Sequence, residues 1–215
     1  MKKSICRQFT MLYIIGVVFL SFSRIEDAKG QASAAQAGKD IPEPKIQATE
    51  LWLRGYSVIP SPRNVKLGKG EVLINDGWNI KVDGVPRGDI TVDFIKNDLM
   101  EFHGMELKGT ANRVISLQIK AGTVKTGAKP GIDKDAYKLV IKPGNVSITG
   151  NSPSGMFYGA QTLLQLLKVR KDGSVVIPEC TITDWPATEL RMIHWDTKNH
   201  QDRIETLKRY LDWTA

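Results

Sequence analysis

A hairpin followed by a helix fills residues 137–167 and constrains the fold more than any other part of the chain. Residues 137–141 and 146–149 alternate apolar and polar side chains, which predicts two strands with one buried face. The Pro143-Gly144 pair between them suits a turn that needs positive φ at glycine. A sheet of this kind needs a cover on its apolar side.

The next segment supplies that cover. Ser152 is suited to the N-cap of a helix and Pro153 to its first position, where backbone amides are unpaired. A wide apolar face follows, formed by Met156, Phe157, Leu163, Leu164, Leu166 and Leu167. Gly155 and Gly159 allow the helix backbone to approach its neighbour closely. We predict that this helix packs on the hairpin.

Further elements precede the hairpin. The sequence predicts strands at 72–74, 78–82 and 114–119 and an amphipathic helix at 89–104 that ends near Gly104. Residues 177–186 are interpreted as a linking segment. These elements predict an α/β chain whose residues 51–184 form a two-layer α+β domain, with helices covering an antiparallel sheet.

A second unit is predicted over residues 185–215. Residues 190–196 have the apolar character of a buried strand, and residues 202–215 have an amphipathic helical pattern. Asp202 and Glu205 fit the start of that helix as a capping box. A strand followed by a helix makes one βα unit.

The first thirty residues have the layout of a secretory signal peptide. Lys2, Lys3 and Arg7 precede an apolar stretch, and Ala28-Lys29-Gly30 fits a cleavage site. The alternative is a membrane anchor, but residues 11–20 are too short for a bilayer, which takes about 20 apolar residues. We predict an exported protein, periplasmic or extracellular, with no stable membrane anchor after cleavage and a flexible leader at 31–50.

Composition argues against several other functions. Cleavage removes five basic and two acidic side chains, so the net charge falls from +7 to +4. The remaining basic residues are scattered without interleaved aromatics, so no nucleic-acid partner is predicted. Cys180 would be the sole cysteine left, and His103, His194 and His200 do not form a ligand set. We therefore predict no disulfide, no metal and no cofactor.

Three parts of the chain together resemble family 20 glycoside hydrolases, the β-N-acetylhexosaminidases. They are residues 58–62 (VIPSP), residues 137–167, and Arg191 followed five residues later by Asp196 and four further by His200. In that family a small α/β accessory domain precedes a TIM (β/α)₈ barrel. The resemblance implies an accessory domain at 51–184 and the first βα unit of an incomplete barrel at 185–215.

The resemblance also implies substrate-binding residues. The family arginine that matches Arg191 grips hydroxyl groups of a terminal N-acetylhexosamine, and a guanidinium suits paired hydrogen bonds to neutral oxygens. Asp196 and His200 are further candidates in the loop after the strand, on the face where barrel active sites form. The alternatives are a solvated strand edge for Arg191 and a capping role in the βα turn for Asp196.

The same resemblance implies substrate-assisted retaining catalysis of glycan hydrolysis, with an Asp-Glu pair at the end of the fourth barrel strand. A barrel takes about 250 residues, and 26 run from Leu190 to Ala215. No catalytic residue is therefore assigned in this chain, which we expect to be inactive by itself and to expose an apolar face on 190–215. Two alternatives stay open: a family 84 or α-glucuronidase-type hydrolase with the same leading domain, and a non-catalytic exported module that binds glycans or a protein.

Overall fold

The computed structural model describes residues 48–109, 112–192, 194 and 202–214. The predicted signal peptide, most of the predicted leader, Asp196 and His200 lie outside the described residues. Within the described residues, no helix combines the length and the apolar character needed to cross a membrane.

Seven strands of the described chain form one sheet. Their spatial order is β1-β7-β4-β5-β3-β2, and β6 pairs with the start of β7. The strands are β1 (Asn64–Ile74), β2 (Asn79–Asp83), β3 (Val114–Ile119), β4 (Tyr137–Lys142), β5 (Asn145–Gly150), β6 (Lys168–Val169) and β7 (Val175–Asp184).

The sheet is mixed, and the prediction of an antiparallel sheet was wrong in this respect. β2 pairs with β3 and β3 with β5 in parallel, whereas the remaining pairs are antiparallel. The helix α2 (Thr91–His103) lies between β2 and β3 in the chain. A helical crossover returns the chain to the same end of the sheet, which makes the two flanking strands parallel.

Four other helices complete the described structure: α1 (Glu50–Leu53), α3 (Pro130–Asp133), α4 (Pro153–Gln165) and α5 (Ile204–Thr214). α4 packs against β3, β4 and β5, and α2 packs against α4. The start of α4 is as predicted, since the Ser152 hydroxyl accepts a hydrogen bond from the Gly155 amide at 3.1 Å. Gly104 ends α2 with a left-handed φ of 60°, also as predicted.

The core lies between the sheet and the helix layer. In β4 the side chains of Tyr137, Leu139 and Ile141 are buried and those of Lys138 and Lys142 are exposed, so the predicted alternation is confirmed. α4 approaches the sheet so closely that a Cβ at Gly159 would lie 2.6 Å from Ile148 Cγ2. Only glycine fits that contact without displacing the Ile148 or Tyr137 side chain.

The linking segment predicted at 177–186 is wrong, because most of it belongs to β7, which lies between β1 and β4. β7 contains Pro178, which cannot donate to a β-ladder. Its partner in β1 is Glu71, next to a register irregularity between Leu67 and Glu71. Proline is tolerated at such irregular positions of a sheet.

The strand predicted at 190–196 is not confirmed. Leu190, Arg191, Met192 and His194 lie outside any strand, and the rest of that range lies outside the described residues. The helix predicted at 202–215 is confirmed as α5. A strand needs a neighbour for its backbone groups, and no described strand pairs with residues 190–192. Residues 190–215 were also expected to expose an apolar face. Four large apolar side chains in the described part of this range are more than half exposed: Leu190 72%, Met192 74%, Ile204 56% and Leu211 67%.

Candidate functional site

Arg191, the candidate sugar-binding residue, lies against the α+β domain. Its Nη2 donates hydrogen bonds to Asp135 Oδ2 and to the Tyr158 hydroxyl, each at 3.1 Å. The guanidinium carbon lies 4.9 Å from the centre of the Tyr158 ring. Arg191 is therefore held by a carboxylate and by an aromatic face at the same time, a pairing that suits a planar guanidinium.

The two partners of Arg191 come from neighbouring elements. Asp135 lies between α3 and β4, where its Oδ1 accepts a hydrogen bond from the Ser152 hydroxyl at 3.4 Å. Ser152 is the N-cap of α4, so the Asp135 carboxylate lies near the positive end of that helix. Tyr158 projects from the second turn of α4.

Tyr158 belongs to a row of aromatic side chains on the helix layer. Its ring contacts Phe157 edge to face at 6.3 Å, and Phe157 contacts Phe94 of α2 in the same manner at 5.3 Å. Such pairs favour offset and edge-to-face geometry. The row therefore fixes the ring on which Arg191 lies.

The segment between β7 and Arg191 makes further contacts with the α+β domain. Arg63 Nε donates to the Trp185 carbonyl at 3.2 Å, and its guanidinium lies 5.1 Å from the Trp185 ring centre. The Glu189 carboxylate lies so close to Gly131 that a Cβ there would collide with it. Residues 185–191 are thus docked along the α+β domain.

The structure places one of the three predicted site residues. Arg191 is described, whereas Asp196 and His200 lie outside the described residues. The sugar-binding role of all three stays a prediction. Asp135 and Tyr158 were not singled out in the sequence, because no motif marks them and their relation to Arg191 arises from contacts 56 and 33 residues apart.

An open groove of about 610 Å³ lies elsewhere, at the turn between β1 and β2. Asn75, Asp76, His103 and Arg113 supply polar groups to its wall. Asn75 Oδ1 accepts from the Gly77 amide at 3.0 Å, and Asp76 Oδ1 accepts from the Glu106 amide at 3.1 Å. Both acceptors therefore brace the local backbone at this turn.

The pKa shifts of Glu71 and Cys180 have structural causes. The hydrogen bonds that Glu71 accepts from Tyr56 and Arg170 lower the pKa of the Glu71 carboxyl. Burial raises the pKa of the Cys180 thiol to about 12, so the thiol is not a reactive thiolate near neutral pH. In the described part of the chain, no cluster of three or more His, Cys, Asp or Glu side chains is arranged to hold a metal.

Comparison with known proteins gives a consistent result. Residues 55–185 match the family described as "Glycosyl hydrolase family 20, domain 2". A β-hexosaminidase of Porphyromonas gingivalis is 34% identical over 179 residues, covering 75% of this chain and 21% of that protein. A β-hexosaminidase of Vibrio vulnificus is 27% identical over 158 residues, covering 74% and 17%. The chain therefore spans about a fifth of the length of these curated relatives.

Solved structures show the same relation. The GH20 β-N-acetylhexosaminidase from Streptomyces coelicolor A3(2) superposes with a TM-score of 0.60 and 27% identity. The superposition covers 73% of this chain and 32% of that one. The likeness extends over most of the described α+β domain and leaves most of the longer protein unmatched.

Proposed function

Because this chain belongs to glycosyl hydrolase family 20, we propose that it is the N-terminal part of a β-N-acetylhexosaminidase that removes terminal N-acetylhexosamine residues from glycans. The observation that carries the proposal is the family match over residues 55–185. Relatives named β-hexosaminidases at 34% and 27% identity support the same activity. The match favours family 20 over the family 84 and α-glucuronidase-type alternatives.

The proposed reaction is substrate-assisted retaining hydrolysis. The acetamido oxygen of the substrate bonds to the anomeric carbon while the glycosidic carbon–oxygen bond breaks, and the leaving oxygen takes a proton from a glutamic acid. Water then opens the cyclised intermediate and returns a proton to that glutamate. We assign no catalytic group to the described residues, and we propose that residues 1–215 alone do not turn over substrate.

The contribution proposed for Arg191 is recognition of the sugar. A guanidinium carries five N–H donors in a fixed plane, so it can donate to two neighbouring hydroxyl groups of a pyranose at once. The Arg191 side chain is 41% exposed, so part of it remains accessible while it contacts Asp135. Asp196 and His200 keep the role of additional sugar contacts in this proposal.

Export is a separate part of the proposal. The basic residues, apolar stretch and cleavage site within residues 1–30 support a cleaved signal peptide and a periplasmic or extracellular location. Amino-terminal sequencing of the mature protein should begin near Gln31. A mature protein that retains Met1 would contradict the proposed cleavage.

The activity is tested on the product of the complete reading frame. We expect it to hydrolyse a chromogenic N-acetyl-β-glucosaminide or N-acetyl-β-galactosaminide and to leave the matched β-glucoside intact, because the glucoside lacks the acetamido nucleophile. Residues 1–215 produced alone serve as the second control and should be inactive. Failure to cleave either N-acetylhexosaminide, or equal cleavage of the glucoside, would refute the proposed reaction.

A further inference from the structure

The contacts of Arg191 engage only part of its guanidinium. Both described acceptors, Asp135 Oδ2 and the Tyr158 hydroxyl, bind the same nitrogen, Nη2. Among residues 48–109, 112–192, 194 and 202–214, no hydrogen-bond acceptor is found for Nε or Nη1 of Arg191. A guanidinium held in this way keeps donors for another ligand.

The acceptor pair is held in place by the domain itself. The Asp135 side chain is only 13% exposed, and its amide donates to the Ile132 carbonyl at 3.1 Å. The Ser152 hydroxyl contacts the other carboxylate oxygen, and α4 fixes Tyr158. A carboxylate so little exposed to water gains from a cationic partner, since burying it unpaired would be costly.

The main chain around Arg191 is anchored as well. Glu189 lies against Gly131 in α3, and Trp185 lies against Arg63. Both contacts lie before Arg191 in the chain, and they hold the segment against the α+β domain. The direction in which the Arg191 side chain leaves the backbone is therefore limited before any substrate arrives.

We propose that Asp135 and Tyr158 are positioning residues for Arg191, which hold Nη2 and leave Nε and Nη1 to donate to hydroxyl groups of the sugar. The substrate part of this inference rests on the proposed function, whereas the holding of Arg191 does not. The α+β domain would then contribute directly to sugar affinity through two of its own side chains.

Trypsin digestion of the full chain tests the holding step. Trypsin must take the Arg191 guanidinium into its own pocket, so cleavage after Arg191 requires release from Asp135 and Tyr158. We expect Asp135→Asn to speed this cleavage roughly three- to tenfold, because it removes the ion pair. Tyr158→Phe should speed it roughly twofold or more, because it removes the hydroxyl acceptor and keeps the ring. Cleavage after exposed Arg203 should not change, which controls for general unfolding.

A matched variant controls for the loss of a carboxylate. Asp172 is an exposed aspartate whose carboxylate accepts hydrogen bonds from Ser174 and makes no described contact with Arg191, so Asp172→Asn should leave the cleavage rate after Arg191 unchanged. If Asp135→Asn and Tyr158→Phe both behave like Asp172→Asn, the inferred holding is wrong.

Kinetics of the complete enzyme test the substrate step. Contacts to hydroxyl groups away from the scissile bond act in ground state and transition state alike, so their disturbance raises KM with little effect on kcat. We expect Asp135→Asn and Tyr158→Phe to raise KM roughly threefold or more with kcat within about twofold, and Asp172→Asn to change neither.

The outcomes separate the two proposals. An active wild-type enzyme whose KM is unaffected by both substitutions would overturn the positioning role and leave the proposed function standing. A wild-type enzyme without N-acetylhexosaminidase activity would overturn the proposed function and, with it, the substrate part of this inference. The trypsin result would still decide whether Arg191 is held.

Discussion

A buried hydrogen bond between the sheet and the helix layer gives the most quantitative prediction. The Tyr137 hydroxyl in β4 and Thr162 Oγ1 in α4 are 2.5 Å apart, and the two residues are 2% and 5% exposed. Asp184 Oδ2 is a more distant acceptor for the same hydroxyl, at 3.4 Å. Burial and the nearby Asp184 carboxylate raise the pKa of Tyr137, so its hydroxyl remains neutral at ordinary pH.

Removal of both partners should cost no more than removal of one. Tyr137→Phe leaves a buried threonine hydroxyl, which costs about 1–3 kcal/mol if unpaired. A helical threonine can turn to a backbone carbonyl of the preceding turn, so we expect a loss of about 1–2 kcal/mol. Thr162→Val leaves the tyrosine hydroxyl with only its longer contact to Asp184, for a similar loss. Tyr137→Phe combined with Thr162→Val replaces both groups by apolar ones of similar shape and should cost about 1–2 kcal/mol in total.

The assay is equilibrium unfolding in urea of wild type, both single variants and the double variant. The double-mutant cycle should give a coupling free energy of about 1–2 kcal/mol, with the slope m unchanged. Thr149→Val is the matched control, since Thr149 is half-buried on β5 and its substitution should stay within about 0.5 kcal/mol. A double-variant loss equal to the sum of the single losses would refute the reasoning.

Two further predictions concern stability. Gly159→Ala should lower the free energy of unfolding by about 1–2 kcal/mol, because overpacking against Ile148 and the Tyr137 ring outweighs a gain in helix propensity of about 1 kcal/mol; a more stable variant would contradict the close contact. Hydrogen bonds from Tyr56 and Arg170 lower the pKa of Glu71, so its stabilising contribution is present above the unfolded pKa and is lost as pH falls through the folded value. Between about pH 5 and pH 3 the melting temperature of wild type should therefore fall more steeply than that of Glu71→Gln. Equal falls in melting temperature would contradict a stabilising role for the hydrogen bonds to Glu71.

Local signals in the sequence predicted the elements that depend on local chemistry. The alternation in residues 137–149, the Ser152-Pro153 helix start and the Gly104 helix end are each fixed by neighbours a few residues away, and each is confirmed. The strand at 114–119 is also confirmed, with the predicted bounds. Side-chain period and capping residues act within one element, so a single sequence contains them.

Features that depend on distant pairing were missed. β7 contains Pro178, and its neighbour β1 begins about 110 residues earlier in the chain, with Asn64 opposite Thr183. The parallel pairing of β2 with β3 follows from the path of α2, which residue pattern alone does not give. The contacts of Arg191 were missed for the same reason. Asp135 and Tyr158 become its partners only after β4 and α4 have packed together.

The position of β7 has a consequence for the order in which this domain is made. β7 is the last strand of the sheet in the chain, yet it fills the space between β1 and β4. Once the ribosome has released the chain up to Gly173, β1 still lacks β7, its only partner among the described strands, and β4 has one unpaired edge. The nascent domain therefore waits for residues 175–184 before its sheet can close, and until then those two edges are open to chaperones or to other nascent chains.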